Sequence, residues 1–418
     1  MRAMLRPSLR LMAVLALGGT LGGGCGKAAS TPSSGAAGAA PASASSAVVS
    51  VATKNTTRLA GRDPASTAAA VALAVYPGLT PATRPAAVVL VNERDWPASL
   101  VASALASAPL GAPLLYADGD SLPAESARAL RAMRPLGAPS LEGAQVIRIA
   151  TAAPVPDGYR ARDLPRVGPQ GPEGTADLAG AVQRLLATAA HSPPREVIAL
   201  ATNAPPALQM PAAALAAESG APILTLTTTA VPSATAATLE SLHRPPIYVV
   251  GAGALSRRAL ADLARFGRVK SVAASAGVGF SRGSSEGLDP VKNAISVSRF
   301  ADGAFGWGIR EAGHGLVFAN MADSLYAPAA APLSSHGDYG PLLLLESSAL
   351  LPPPLVEYLS NIEPGYTNAV PPVREVYNHG WLLGDERSIS AVAQAELDTL
   401  LEVAPRTSGQ EPSVSPPE

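Results

Sequence analysis

A cassette of about 40 residues occurs three times in this chain, and no other feature narrows the choice of fold so far. Its copies run from Ala86 to Pro123, from Arg195 to Pro232 and from His314 to Pro352. First residue and closing proline are 37, 37 and 38 positions apart, so the first two copies align without a gap and the third carries one extra residue near Gly337-Asp338. Each copy reads apolar run, small-residue helix, Gly-(Ala)-Pro, apolar run, proline-started helix. At a spacing of roughly 110 residues the copies predict three tandem α/β units.

The residue order within a cassette has a physical cause. Val88 to Val91, Val197 to Leu200 and Leu316 to Ala319 are short apolar runs without polar alternation. Strands buried on both faces of a parallel sheet have that composition. Leu100, Val101, Ala104, Leu105 and Ala108 then fall at helical spacing. Gly111, Gly220 and Gly340 occupy the place of a left-handed helix cap, and prolines soon after them stop the helix. A second apolar run follows (Leu114 to Tyr116, Ile223 to Leu226, Leu342 to Leu345), and Pro123, Pro232 and Pro352 open the next helix. Strand, crossover and strand make a βαβ unit with mainly parallel pairing. Val146 to Ile149, Ile247 to Val250 and Val373 to Tyr377 are the expected third strands.

Residues 1–25 read as an export signal: Arg2, Arg6 and Arg10 precede an apolar stretch, Leu11 to Leu21, that is too short to span a bilayer. It ends at Cys25, the only cysteine, so no intrachain disulfide is possible. A small residue before a lone Cys in this position resembles a bacterial lipoprotein signal, although the usual Leu three places earlier is Gly22. The resemblance implies lipidation of Cys25, a membrane anchor through that lipid and an extracytoplasmic location. Residues 26–55, rich in Ala, Ser, Gly and Pro, read as a linker, and 405–418 as a similar tail. Between them the expected repeats cover 56–155, 156–280 and 281–404. A net charge of −1 sets aside a general nucleic-acid binder, which would be basic.

Folded sequence opens with Arg58-Leu-Ala-Gly61-Arg62-Asp63-Pro and Thr67-Ala68. Together with Asp95-Trp96-Pro97, the Gly-x-Pro-apolar runs and Ile247-Tyr-Val-Val-Gly251-Ala-Gly253-Ala-Leu-Ser256, this segment resembles the type 2 cell-wall-binding repeat of bacterial surface proteins. The resemblance extends from about residue 57 to 403. The opening motif weakens along the chain, to Arg166-Val-Gly168 with Gly174-Thr175-Ala176 and then to Arg299-Phe-Ala-Asp302. It implies Toprim-like α/β units in a pseudo-threefold arrangement, no catalysis, and retention on anionic cell-wall polymer or peptidoglycan. Copy one has Ser99 where the family usually has Asp, and copies two and three lack the Asp-aromatic-Pro start.

The chemistry-bearing patterns are weak beside the repeats. Gly283-Ser-Ser-Glu-Gly287 has the spacing of a nucleophile elbow but no strand before it or helix after it. Gly251-Ala-Gly253 lacks the third glycine of a dinucleotide loop, and the five histidines have no metal-ligand spacing. Asp118-Gly-Asp120 is an Asp-x-Asp pair without counterparts in the other copies, so it reads as a loop. No cofactor or metal is expected. Arg58, Arg62, Arg94, Arg166 and Arg299 remain, in the opening segments or after a first strand, where ligands of open α/β sheets sit. Two readings stay open: guanidinium forks on phosphate or carboxylate, or arginines that close the contacts between repeats. Trp96, Trp307 and Trp381 are likewise either sugar-stacking faces or buried anchors. The expected function is non-catalytic binding of anionic wall polymer; a solute-binding lipoprotein is the alternative, and a wall hydrolase comes third.

Overall fold

The apolar runs of the cassettes do form strands buried on both faces. The computed structural model describes residues 50–166, 171–272, 288–336, 340–366 and 377–405. It opens with an antiparallel hairpin, β1 (Ser50–Ala52) on β2 (Thr56–Leu59), and the helix α1 (Pro64–Val75). The first cassette supplies β3 (Val88–Asn92), α2 (Trp96–Ala102), β4 (Leu114–Ala117), α3 (Ala124–Met133) and β5 (Val146–Ile149). After β6 (Ala161–Leu164) and α4 (Pro172–Ala190) the second gives β7 (Val197–Ala201), α5 (Pro206–Gln209), α6 (Pro211–Ser219), β8 (Ile223–Leu226), α7 (Ser233–Ser241), β9 (Pro246–Val249) and α8 (Arg257–Leu263). Next come β10 (Arg268–Ser271) and α9 (Pro290–Arg299), then the third cassette with β11 (Gly315–Asn320), α10 (Tyr326–Ser335), β12 (Leu342–Leu345) and α11 (Pro353–Asn361). The chain finishes with β13 (Gly365–Tyr366), β14 (His379–Leu383), α12 (Ala391–Leu400) and β15 (Ala404–Pro405), where β13 and β15 pair with each other.

The three main sheets share one plan. Their strand orders are β4-β3-β5-β6, β8-β7-β9-β10 and β12-β11-β14-β2-β1, with every pair parallel except β1 on β2. In each sheet the first strand of the cassette is central, and the fourth strand comes from the segment that opens another repeat. The strand β6, which opens repeat two, completes the first sheet, and β10 completes the second. The third sheet is completed by β2, from the start of the folded chain, whose Thr56 to Leu59 pair with Gly380 to Leu383. The array is therefore closed by its own N-terminal strand. The helices α1, α4 and α9 follow the same plan, packing on β4, β8 and β12 of their own sheets and against the crossover segments α10, α2 and α5–α6 of the neighbouring units.

Composition explains how the units approach so closely. The crossover helices present alanine to one another: α10 packs on α6 and on the 3₁₀ turn Ser103–Ala106, and Ala106, Ala217 and Ala331, one from each cassette, form a buried cluster. A methyl side chain buries little area, so these contacts set distance more than stability. The larger contribution comes from the strands, where buried leucine, valine and isoleucine side chains are each worth about 1.5–3 kcal/mol.

Some expectations about single residues need correction. Gly220 does cap α6 in the left-handed conformation at φ 74°. Gly340 is not left-handed; a Cβ there would lie 2.4 Å from the Gly315 carbonyl oxygen, so close approach of the backbone selects glycine at that position. In the last copy the strand that pairs with β11 on the side away from β12 is His379–Leu383; of the expected Val373 to Tyr377, residues 373–376 lie outside the described residues. The opening strand of copy three is Arg268–Ser271, well upstream of Arg299. Asp289-Pro290 starts α9 as Asp63-Pro64 starts α1, with each Asp accepting backbone N–H groups at its helix N-terminus. Residues 273–287 separate that strand from that helix and displaced the motif match, and the Gly283 to Gly287 pattern lies among them, outside the described residues.

Candidate functional site

Ligands of parallel sheets collect beyond the carboxyl ends of the strands. In the first unit that edge is built by side-chain pins. The Asn92 amide oxygen, at the end of β3, accepts from the Arg94 backbone N–H at 3.0 Å and from Gly119 N–H at 3.2 Å, joining the loops after β3 and β4. Thr151 Oγ1 donates to the Gly119 carbonyl at 2.7 Å, and the Asp120 carboxylate accepts from Ala152 N–H at 2.9 Å. Asp118 pairs with the Arg94 guanidinium. Both carboxylates of the Asp-Gly-Asp loop thus hold the protein together, and among the described residues no group of three or more His, Cys, Asp or Glu side chains is placed to hold a metal.

The third and first units meet beside this loop. Arg62 is exposed, and its backbone carbonyl accepts from Arg387 Nη2 at 3.0 Å. Arg387 in turn pairs with Asp385 at 2.8 Å. The Glu93 carboxyl is pushed up, first by burial and then by Asp118 and Asp63, with Arg94 opposing. Glu93 therefore senses both the Arg62–Asp63 turn and the Arg94–Asp118 pair, and Arg62, Arg94 and Arg387 stand on one rim. Most of its positive charge is already matched by carboxylates of the same rim.

The other three candidate arginines lie elsewhere. Arg58 is 4% exposed. Its Nε and Nη2 donate to Gln394 Oε1 at 3.0 and 2.8 Å, and its Nη1 donates to the carbonyls of Gly384 and Asp385 at 3.2 and 3.0 Å. It clamps the closing strand β2 to α12 and to the loop after β14, and a polymer cannot reach it. Arg166 forms an ion pair with Asp95, the N-cap of α2, and donates to Thr175 Oγ1 at 3.1 Å, so it locks the first unit to the second. Arg299 sits at the end of α9 with its guanidinium 4.8 Å from the centre of the Tyr358 ring, and Tyr358 shares a 2.6 Å hydrogen bond with Ser298. Since α9 and α11 both run back from the carboxyl ends, this contact is at the opposite end of its unit. The rim keeps Arg62 and Arg94; Arg58 and Arg166 close contacts between units. Trp96, Trp307 and Trp381 are half-buried against the core. Cys25 lies outside the described residues.

Sequence reasoning passed over the asparagines. Asn203 accepts from Thr228 N–H at 2.8 Å and donates to Thr228 Oγ1 at 3.1 Å, and Asn320 donates to the Ser388 carbonyl at 3.0 Å. With Asn92, every copy has an Asn at or just after its first strand that ties down a neighbouring loop. The signal was present as an Asn closing each first apolar run.

No protein-family model matches the chain, and no curated protein does. Among solved structures the fold is similar to that of Cwp6 from Clostridium difficile, with a TM-score of 0.58 at 17% identity over 86% of this chain and 50% of that one. It is also similar to Cwp8 from Clostridium difficile, with a TM-score of 0.55 at 16% identity over 84% of this chain and 53% of that one. The chain spans about half the length of each, and at such identity the likeness is one of fold: an array of α/β units with mostly parallel sheets.

Proposed function

We propose that the protein is an exported, non-catalytic module of the cell envelope, anchored through lipid on Cys25, that binds anionic wall polymer with its three α/β units. The observation that carries the reading is the rim between the third and first units, where Arg62 and Arg94 stand exposed on a scaffold pinned by Asn92 and Asp120. The likeness in fold to Cwp6 and Cwp8 and the type 2 repeat motifs support a role at the wall. The three alanines that meet between the cassettes support a threefold arrangement of the units. Among the described residues no helix is long and apolar enough to cross a membrane. The anchor is proposed from the lipoprotein-like signal that ends at Cys25.

Because Arg94 is paired with Asp118, a polymer phosphate or carboxylate must compete with that aspartate, and binding through the rim is modest and sensitive to salt. The test is sedimentation of the full chain with purified anionic wall polymer at rising salt, for the natural protein and for the R62E/R94E variant. Retention that falls with salt and is lost in the variant fits the proposal. Equal retention of the two proteins removes the rim from polymer recognition.

A further inference from the structure

The second unit carries a groove at the opposite, amino end of its strands, and its charges are left more open than those of the rim. It has a volume of about 420 Å³ and is lined by Leu239, Glu240, His243, Arg244, Arg265 and Phe266. These residues come from the end of α7, from the turn between α7 and β9, and from the turn between α8 and β10. His243 and Arg244 are consecutive left-handed residues, at φ 55° and 65°, a conformation that residues with a Cβ seldom adopt. Neighbours hold them there. Arg244 Nη1 donates to the Arg265 carbonyl at 2.9 Å, and Gly267 lies so close to the turn that a Cβ on it would be 2.1 Å from the Pro245 carbonyl oxygen.

The two turns together place two guanidinium groups and an imidazole around one concavity. On the rim, Arg94 and Arg387 are each paired with an aspartate. In the groove, Arg244 is held only by a backbone carbonyl and neither it nor Arg265 forms an ion pair among the described residues. Glu240 is the one carboxylate of the lining and is exposed, so the arginines outnumber it two to one. Phe266, half-buried, supplies an apolar face beside them. We propose that this groove binds a sugar bearing a phosphate or carboxylate: Arg244 and Arg265 take the anion and Phe266 takes the ring face. The assignment is independent of the rim.

The test is calorimetric titration of the full chain with glucose 1-phosphate at low salt, with glucose as the neutral control. Arg265 offers the cleaner variant, because its side chain makes no hydrogen bond or ion pair among the described residues. R265E should keep the natural unfolding midpoint and bind glucose 1-phosphate at least tenfold more weakly, while R62E/R94E binds as the natural protein does. No binding by the natural protein, or undiminished binding by both R265E and R244A/R265A, overturns the assignment. Repeating the titration with purified wall polymer separates the sources: weakening of both ligands in R265E identifies a polymer unit, and weakening of the monomer alone identifies a free sugar acid or sugar phosphate. A wall-retention defect confined to R62E/R94E bears on the rim and leaves the groove standing.

Discussion

Replacing Arg58 by alanine should unlock the strand that closes the array. The side chain is almost wholly buried and donates four hydrogen bonds of 2.8–3.2 Å to Gln394 and to the carbonyls of Gly384 and Asp385. Truncation leaves three buried acceptors short of a donor, at about 1–3 kcal/mol each when no water replaces it. It also removes the packed stem. Burial of the charge opposes this: desolvation lowers the Arg58 pKa, with Glu386 and Asp385 pulling the other way, so the guanidinium is held at some cost. Allowing for water entering the vacated space, the net loss should be about 3–5 kcal/mol, of the order seen when a buried charge–acceptor contact loses one partner. Arg58→Lys should recover only part of it, because an ammonium cannot reproduce the fork. The assay is urea unfolding of the full chain, followed by circular dichroism. A fall in the midpoint with little change in slope is expected. A loss below about 0.5 kcal/mol would refute the clamp, since that is the range of an ordinary surface substitution.

Four further outcomes can be checked directly. Gly61→Ala places a Cβ 2.3 Å from the Thr67 backbone nitrogen, so α1 must shift, and a loss of about 1–3 kcal/mol in urea unfolding is expected. Removing either partner of the half-buried Arg166–Asp95 pair should cost about 1.5–3 kcal/mol, and a double-mutant cycle should return a clear coupling energy. The Glu218 carboxyl, with one buried oxygen lacking a partner, is pushed up to about 7 by burial and by Glu196. A carboxyl whose folded pKa lies above its unfolded one holds more protons in the folded state, so stability should fall as pH rises from about 4.5 to 7. Glu218→Gln should remove most of that slope and stabilise the protein by about 1–2 kcal/mol at pH 8, as unfolding at two pH values would show. Cys25→Ser should release the protein from membrane fractions, as detergent partitioning would show.

The cassette was readable because burial on both faces leaves an unmistakable apolar run, and because Gly, Ala and Pro punctuate each copy in the same order. Strand position within the sheets was not, since nothing in Thr56–Leu59 announces a partner more than three hundred residues away at Gly380–Leu383. The two readings of the arginines could not be separated in sequence for a related reason. Arg58 and Arg62 belong to one short motif, yet the first lies within strand β2 and turns into α12, while the second follows the strand and faces solvent. Only the arrival of Gln394 and Asp385 makes that distinction, and both come from the far end of the chain. Arg299 was misassigned through the long segment between β10 and α9, which moved a repeated opening out of register. The groove at His243 and Arg244 left no trace in the sequence, because a left-handed pair of ordinary residues depends on Gly267 and Arg265 pressing from a different turn.

The most direct test of wall association is retention of the full chain on purified cell walls before and after mild acid extraction of their secondary polymers. Retention on intact walls, weakening with salt and lost after extraction, is the expected result for recognition of an anionic polymer. Equal retention on extracted peptidoglycan, or none on either material, would contradict it.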